Sequence, residues 1–239
     1  MRGTRAGKLP LVSQPRPQDL AHKMAELARS VAVPRTTEDI FAEVTKAAVE
    51  LIPGADAAGI LLIRKGGKFE SHAGTTDLPH RLDELQHRFQ EGPCMDAALA
   101  EVVVRTDDFR RETRWPSYSA AVQEFGVFSG LSFRLYTKDR TAGALNLFGF
   151  QPTEWDADRQ TIGTVLAAHA AAAILSSQQG EQLQSALMSR DRIGQAKGII
   201  MERFGIDDIQ AFDMLRQLSQ EGNAKLVDVV QRVIDTRGR

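Results

Sequence analysis

The segment Arg190-Asp-Arg-Ile-Gly-Gln-Ala-Lys-Gly-Ile-Ile-Met201 sets one cation, Lys197, among apolar residues. On a helical period Ile193, Lys197, Ile200 and Phe204 fall at i, i+4, i+7 and i+11, on one stripe. A cation on a core-facing stripe costs free energy unless its head escapes to water or meets an anion. The anion this reading supplies is a nucleic-acid phosphate. Arg203, Arg216 and Lys225 add cations nearby in sequence, and Gln195, Ser219 and Asn223 add neutral hydrogen-bonding groups. That mixture suits phosphates together with the splayed bases of an RNA loop. Charge alone gives a plainer reading. Residues 188–232 hold seven Lys/Arg and seven Asp/Glu, hence no net positive field. Asn223 would then be a helix N-cap, and Arg216 a partner for Asp213.

Further upstream, Cys94 is a candidate redox or ligand contact, and Trp115 and Phe133 are candidates to line a pocket. Each also has a simpler reading as core, since a cysteine is often just a small buried apolar side chain. His72, His80 and His87 have no paired metal-ligand spacing and read as surface or helix-edge residues. The chain shows no Gly-rich phosphate loop and no Ser/His/Asp or Cys/His set at a familiar spacing. The expectation is a non-enzyme with no metal and no cofactor.

The elements that must position these residues follow from periodicity and punctuation. Helices are expected over residues 19–31 and from the Thr36-Thr37-Glu38-Asp39 cap cluster to Pro53-Gly54. Residues 57–63 read as a buried strand, Gly66-Gly67 as a turn and 68–73 as the partner strand. Helices are expected over 82–90, after Cys94 and over 117–125, with a short strand at 102–104. Leu131, Phe133 and Leu135 alternate with Ser132, Arg134 and Tyr136, giving one apolar and one polar face. Lys138-Asp139-Arg140 turns this strand into its partner over 144–150. A long helix is expected from Thr153, with Asp156 completing a partial capping box. No Pro interrupts it before Gly205, so it serves as a helical connector. Two short helices follow, from Asp208 and from Ala224. Antiparallel strands with helices set to one side predict an α+β fold on a central sheet.

The chain has 239 residues, 42% hydrophobic and 26% charged, with a formal net charge of −1. A nucleic-acid site must therefore be a local patch. Its single cysteine excludes an internal disulfide and a Cys-based zinc site. No window reaches the ~20 apolar residues a membrane helix needs. A cytoplasmic protein without a membrane partner is the expectation. Residues 1–18, with three prolines and four basic residues, read as a disordered tail.

Residues 36–178 resemble a GAF domain, through the terminal helices, the 131–150 hairpin and Glu91-Gly92-Pro93-Cys94. The resemblance implies a sensor that holds a small ligand between its sheet and the middle loops, and that dimerises through its terminal helices. Ile193-Gly-Gln-Ala-Lys-Gly-Ile-Ile-Met201, Ala211-Phe212, Leu215-Arg216, Ser219, Asn223 and Lys225-Leu226-Val-Asp-Val229 resemble an ANTAR domain. Val230 departs from that pattern, where alanine is usual, which should affect packing alone. This second resemblance implies binding of RNA stem-loops by a homodimer and antitermination of the nascent transcript, with RNA polymerase an indirect partner. The expected division is 1–18 tail, 19–178 sensor and 179–239 three-helix RNA-binding domain. A DNA-binding transcription factor is the alternative, because short helices around a Gly turn can mimic helix-turn-helix.

Overall fold

The computed structural model describes Ala25 and residues 36–63, 68–99, 101–137 and 140–236. The expected tail, the helix over 19–31 apart from Ala25, and the turns at Gly66-Gly67 and Lys138-Asp139 lie outside them. Two compact units divide the chain, Met1–Leu175 and Ser176–Arg239.

In the first unit, helix α1 (Thr37–Leu51) begins with a reciprocal capping box. Thr36 Oγ1 accepts from the Asp39 amide, and the Asp39 carboxylate accepts from the Thr36 amide. Then come β1 (Ala57–Ile63), β2 (Phe69–His72), α2 (Leu78–Phe89), α3 (Pro93–Leu99) and β3 (Val103–Thr106). A 3-10 turn at Phe109–Arg111, α4 (Pro116–Glu124), β4 (Ser129–Thr137), β5 (Arg140–Gly149) and α5 (Ala157–Phe204) complete the order. The five strands form one antiparallel sheet in the order β2-β1-β5-β4-β3.

Because side chains alternate across a strand, the β4–β5 register sorts the sheet into two faces. Leu131 pairs with Leu147 and Phe133 with Leu145, while Ser132 pairs with Asn146. The apolar face packs against Phe41, Val44 and Ala48 of α1 and Ile162, Leu166 and Ala170 of α5. The face read as polar is not open to water. Leu82 of α2, Cys94 and Ala97 of α3, Phe109, and Tyr118 and Val122 of α4 cover it in a second core. Helices therefore lie on both faces, where the sequence placed them to one side.

Helix α5 starts three residues later than its expected capping box at Thr153 would require. The Asp156 carboxylate accepts from the Arg159 amide at 2.9 Å and so caps the helix itself. The Thr153 amide instead donates to the Asp107 carbonyl, and its hydroxyl to that of Gln151. The helix comes close to the sheet at Gly163, where a β-carbon would overlap the Phe133 ring.

In the second unit α5 continues to Phe204 and stops at Gly205, whose φ of +64° favours glycine. Asp207 and Gln210 form a capping box for α6 (Asp208–Glu221). Helix α7 (Leu226–Asp235) begins two residues after the expected start. Ala196, Ile200, Ala211, Leu215, Val229 and Val230 form the small shared core. Val230 is 1% exposed, so its departure from the alanine pattern is a matter of packing. No helix among the described residues is long and apolar enough to cross a membrane.

Candidate functional site

The stripe that carries Lys197 runs from core to surface. Ile200 is buried, Ile193 is half-buried and Phe204 is exposed. The Lys197 side chain is 20% exposed, and its Nζ forms an ion pair with Asp208 at the first turn of α6. The anion required by its position is thus already supplied within the chain. Arg203 is six residues further along, about 120° away around the helix axis. It reaches the Thr236 carbonyl at 3.5 Å.

Ser219 and Asn223 build the turn between α6 and α7. Ser219 Oγ donates to the Ala224 carbonyl at 2.7 Å, and Asn223 holds φ at +42°. A left-handed asparagine there replaces the expected N-cap role, and Lys225 is the N-cap residue of α7 without a side-chain cap bond. Gln195, Arg216 and Lys225 are exposed. Arg216 makes no ion pair with Asp213 among the described residues. Lys197 is engaged, Arg203 lies elsewhere on α5, and Arg216 and Lys225 flank in sequence a turn built by Ser219 and Asn223.

A groove of about 350 Å³ lies in this unit, lined among others by Ile200, Arg203, Phe204, Leu218, Glu221 and Val233. Sequence reasoning did not identify it.

Of the three pocket candidates in the first unit, Cys94 and Trp115 share the second core, whereas Phe133 faces the opposite side of the sheet. Phe133 is a packing residue against α5. Burial and the nearby Asp83 raise the Cys94 thiol well above its usual range, which removes its nucleophilic form. The indole of Trp115 donates to Asp96 at 2.9 Å. The Glu-Gly-Pro-Cys segment has a mechanical role. Glu91 accepts from the amides of Ser117 and Tyr118, 2.8 and 3.1 Å away, and so caps α4. Gly92 has φ +134° and leaves room for Gln86, whose Oε1 accepts from the Cys94 amide at 2.9 Å. The histidines stay apart: His72 meets Glu38, His80 meets Glu84, and His87 meets the Phe69 ring edge-on.

What the sequence reading missed is a buried polar cluster in the second core. Asp83 accepts from Ser71 Oγ, and from the side-chain amides of Gln86 and Asn146, each at 3.4 Å. Asn146 Oδ1 in turn accepts from Ser132 Oγ at 2.8 Å. Burial pushes the Asp83 carboxyl up to about 7, against the lowering effect of those three hydrogen bonds. Tyr118 is fully buried, and its hydroxyl has no partner among the described residues. A signal existed. Pro79, Leu82, Asp83 and Gln86 fall at i, i+3, i+4 and i+7, and all four are buried. The same stripe test that singled out Lys197 would have singled out Asp83.

Comparison with known proteins finds two families along the chain. Residues 34–175 match the GAF domain family, and residues 181–234 match the ANTAR domain. Among solved structures, the GAF domain of a phosphoenolpyruvate-protein phosphotransferase from Coxiella burnetii superposes with TM-score 0.54 at 16% identity, over 69% of this chain and 98% of that one. The GAF domain of the Acinetobacter phosphoenolpyruvate-protein phosphotransferase gives TM-score 0.51 at 12% identity, over 66% and 94%. A GAF domain from Synechocystis in its photoproduct state gives 0.52 at 13% identity, over 62% and 99%. At these identities the likeness concerns the fold alone. No curated protein sequence matches the chain. The chain belongs to the GAF domain family and carries an ANTAR domain after its GAF domain.

Proposed function

We propose that this chain is a signal-responsive regulator that binds stem-loops of a nascent transcript and promotes antitermination. GAF domains are sensory and ANTAR domains belong to RNA-binding antitermination regulators, so the general kind follows from the two matches. The observation that carries the finer reading is the ANTAR match over 181–234 on a three-helix unit with a shared core. On this reading Arg216 and Lys225, both exposed, meet phosphates, with Gln195 and Arg203 as further contacts. Ser219 and Asn223 shape the turn between them. Lys197 joins when its ion pair opens. The working unit is a homodimer, RNA polymerase is affected only through the transcript, and a small molecule in the GAF domain is the signal.

The test is a gel shift of the full chain against an RNA with two linked hairpins, with duplex DNA as competitor, at two salt concentrations. Selective RNA binding that weakens with salt is expected, because phosphate contacts release counterions. Two linked sites should bind more tightly than one through effective concentration. Preference for the DNA duplex would replace this reading with that of a DNA-binding transcription factor.

A further inference from the structure

The polar cluster under α2, α3 and α4 holds a carboxyl group that no cation among the described residues balances. Asp83 is 6% exposed, and the groups acting on it are its own burial and the neutral donors Ser71, Asn146 and Gln86. An isolated buried carboxylate is costly, and nature meets that cost with a proton, a paired cation or a ligand. Tyr118 adds a second observation. Its hydroxyl is fully buried without a partner among the described residues, and Asp83 and Cys94 are near enough to raise its pKa further after burial has done so. A proton on Asp83 would neutralise the acid but would not satisfy that hydroxyl. Arg134 shares this sheet face, is half-buried and has interactions of its own. Among the remaining acids of the covering elements, Glu91 caps α4 and Asp96 receives the Trp115 indole.

We infer that this cluster is a recognition site for a small organic cation bearing N–H groups, such as an amidinium or a primary ammonium, with Asp83 as its anionic anchor and the Tyr118 hydroxyl as a second contact. The inference rests on the sensor reading of the GAF domain and names the chemical class of its ligand. Oδ1 of Asp83 already accepts from Gln86 and Asn146, whereas Oδ2 accepts from Ser71 alone and keeps a lone pair for one charge-assisted hydrogen bond from a ligand N–H. Ser71, Gln86 and Asn146 hold the carboxylate from β2, α2 and β5. A ligand there touches strand and helix together, which is where a sensor must register its signal.

Acetamidinium and acetamide are close to isosteric and differ in charge, so they make the test. Thermal unfolding of the full chain is followed at pH 7.5 with either compound at millimolar concentrations, and with sodium chloride as ionic control. Acetamidinium should raise the melting temperature in a saturable way where acetamide and salt do not. Asp83→Asn should weaken that effect at least tenfold. Tyr118→Phe, which keeps the ring packing, should weaken it severalfold and guards against an Asp83 variant that folds poorly. Equal responses to acetamidinium and acetamide, no saturable response, or an equal response in all three proteins would overturn the inference. RNA binding by the unliganded chain is read separately in the gel shift, so failure of either reading leaves the other identifiable.

Discussion

Lys197 and Asp208 form an ion pair across the turn at Gly205, joining the last turns of α5 to the first turn of α6. Asp208 sits at the positive end of its helix and is 66% exposed, so it is held by the helix dipole as well as by the lysine. The pair therefore occupies the same lysine that a phosphate would need. Replacing Asp208 by Asn removes the competitor while keeping the shape. Hairpin affinity should rise about two- to tenfold, while stability falls by less than about 1 kcal/mol, as for a partly exposed pair. Lys197→Ala should lower affinity in the same gel shift. Unchanged affinity in both variants would make the pair a structural strut only.

Asp83 gives a pH dependence whose sign is unusual for a carboxylate. Its pKa in the folded protein is raised to about 7, above the ordinary value of 3.8. The folded state therefore holds the proton more tightly. The stabilisation is fully present below about pH 4 and is lost as pH rises through 7, on the order of a few kcal/mol. Glu112 acts in the opposite direction. Burial would raise its carboxyl, but Arg114 outweighs this by hydrogen bonds and charge and holds it at about 2. Its stabilisation is present above about pH 4.5 and is lost on acidification, discounted because the group is partly solvated. Between pH 5 and 8 the Asp83 effect should dominate. Melting temperature should fall across that range in the wild type and stay flatter in Asp83→Asn. Parallel curves would show that Asp83 is not the titrating group.

These two carboxylates also mark what sequence could convey. The sheet, its long hairpin and the α1 cap were legible because alternation, turn residues and cap residues are local signals. Which helix covers which face is a long-range matter. Ser132 and Asn146 are 14 residues apart and meet only through the β4–β5 register. Asp83 comes to Asn146 from 63 residues away. Phe133 looked like a companion of Cys94 and Trp115 because residue type does not reveal the face of a sheet. Likewise, a cationic residue on an apolar stripe announces a need for an anion without saying that Asp208 will meet it.

The four glycines of α5 separate packing from propensity. At Gly163 a β-carbon would overlap the Phe133 ring, so Gly163→Ala should destabilise the GAF domain by about 1–3 kcal/mol. At Gly194 and Gly198 an added β-carbon meets nothing within 4 Å. Alanine there should stabilise the helix by roughly 0.5–1 kcal/mol. Urea denaturation measures both directions. Hairpin binding by the stabilised variants then tells whether that bare face of α5 is where RNA or a second helix approaches. Loss of binding with a gain in stability would place a close contact there.

Leu183 and Leu187 are 64% and 53% exposed, one helical turn apart on the part of α5 that precedes the ANTAR core. Helical stability usually comes from packing of an apolar face, and among the described residues this pair of leucines stays exposed. Gly180, Leu187 and Gly194 repeat at seven-residue intervals along the same side, which suits a second helix running alongside. Burying a leucine is worth about 1.5–3 kcal/mol, and a symmetric dimer would bury four across the two copies. In the proposed homodimer, the double variant Leu183→Glu, Leu187→Glu should therefore raise the dissociation constant by at least about a hundredfold, since each 1.4 kcal/mol is tenfold. Analytical ultracentrifugation would follow this directly, with circular dichroism as the check on folding. A variant that remains dimeric would show that these leucines do not carry the contact, and the search would move to the GAF helices, where α1 and the first turns of α5 lie on the same face of the sheet.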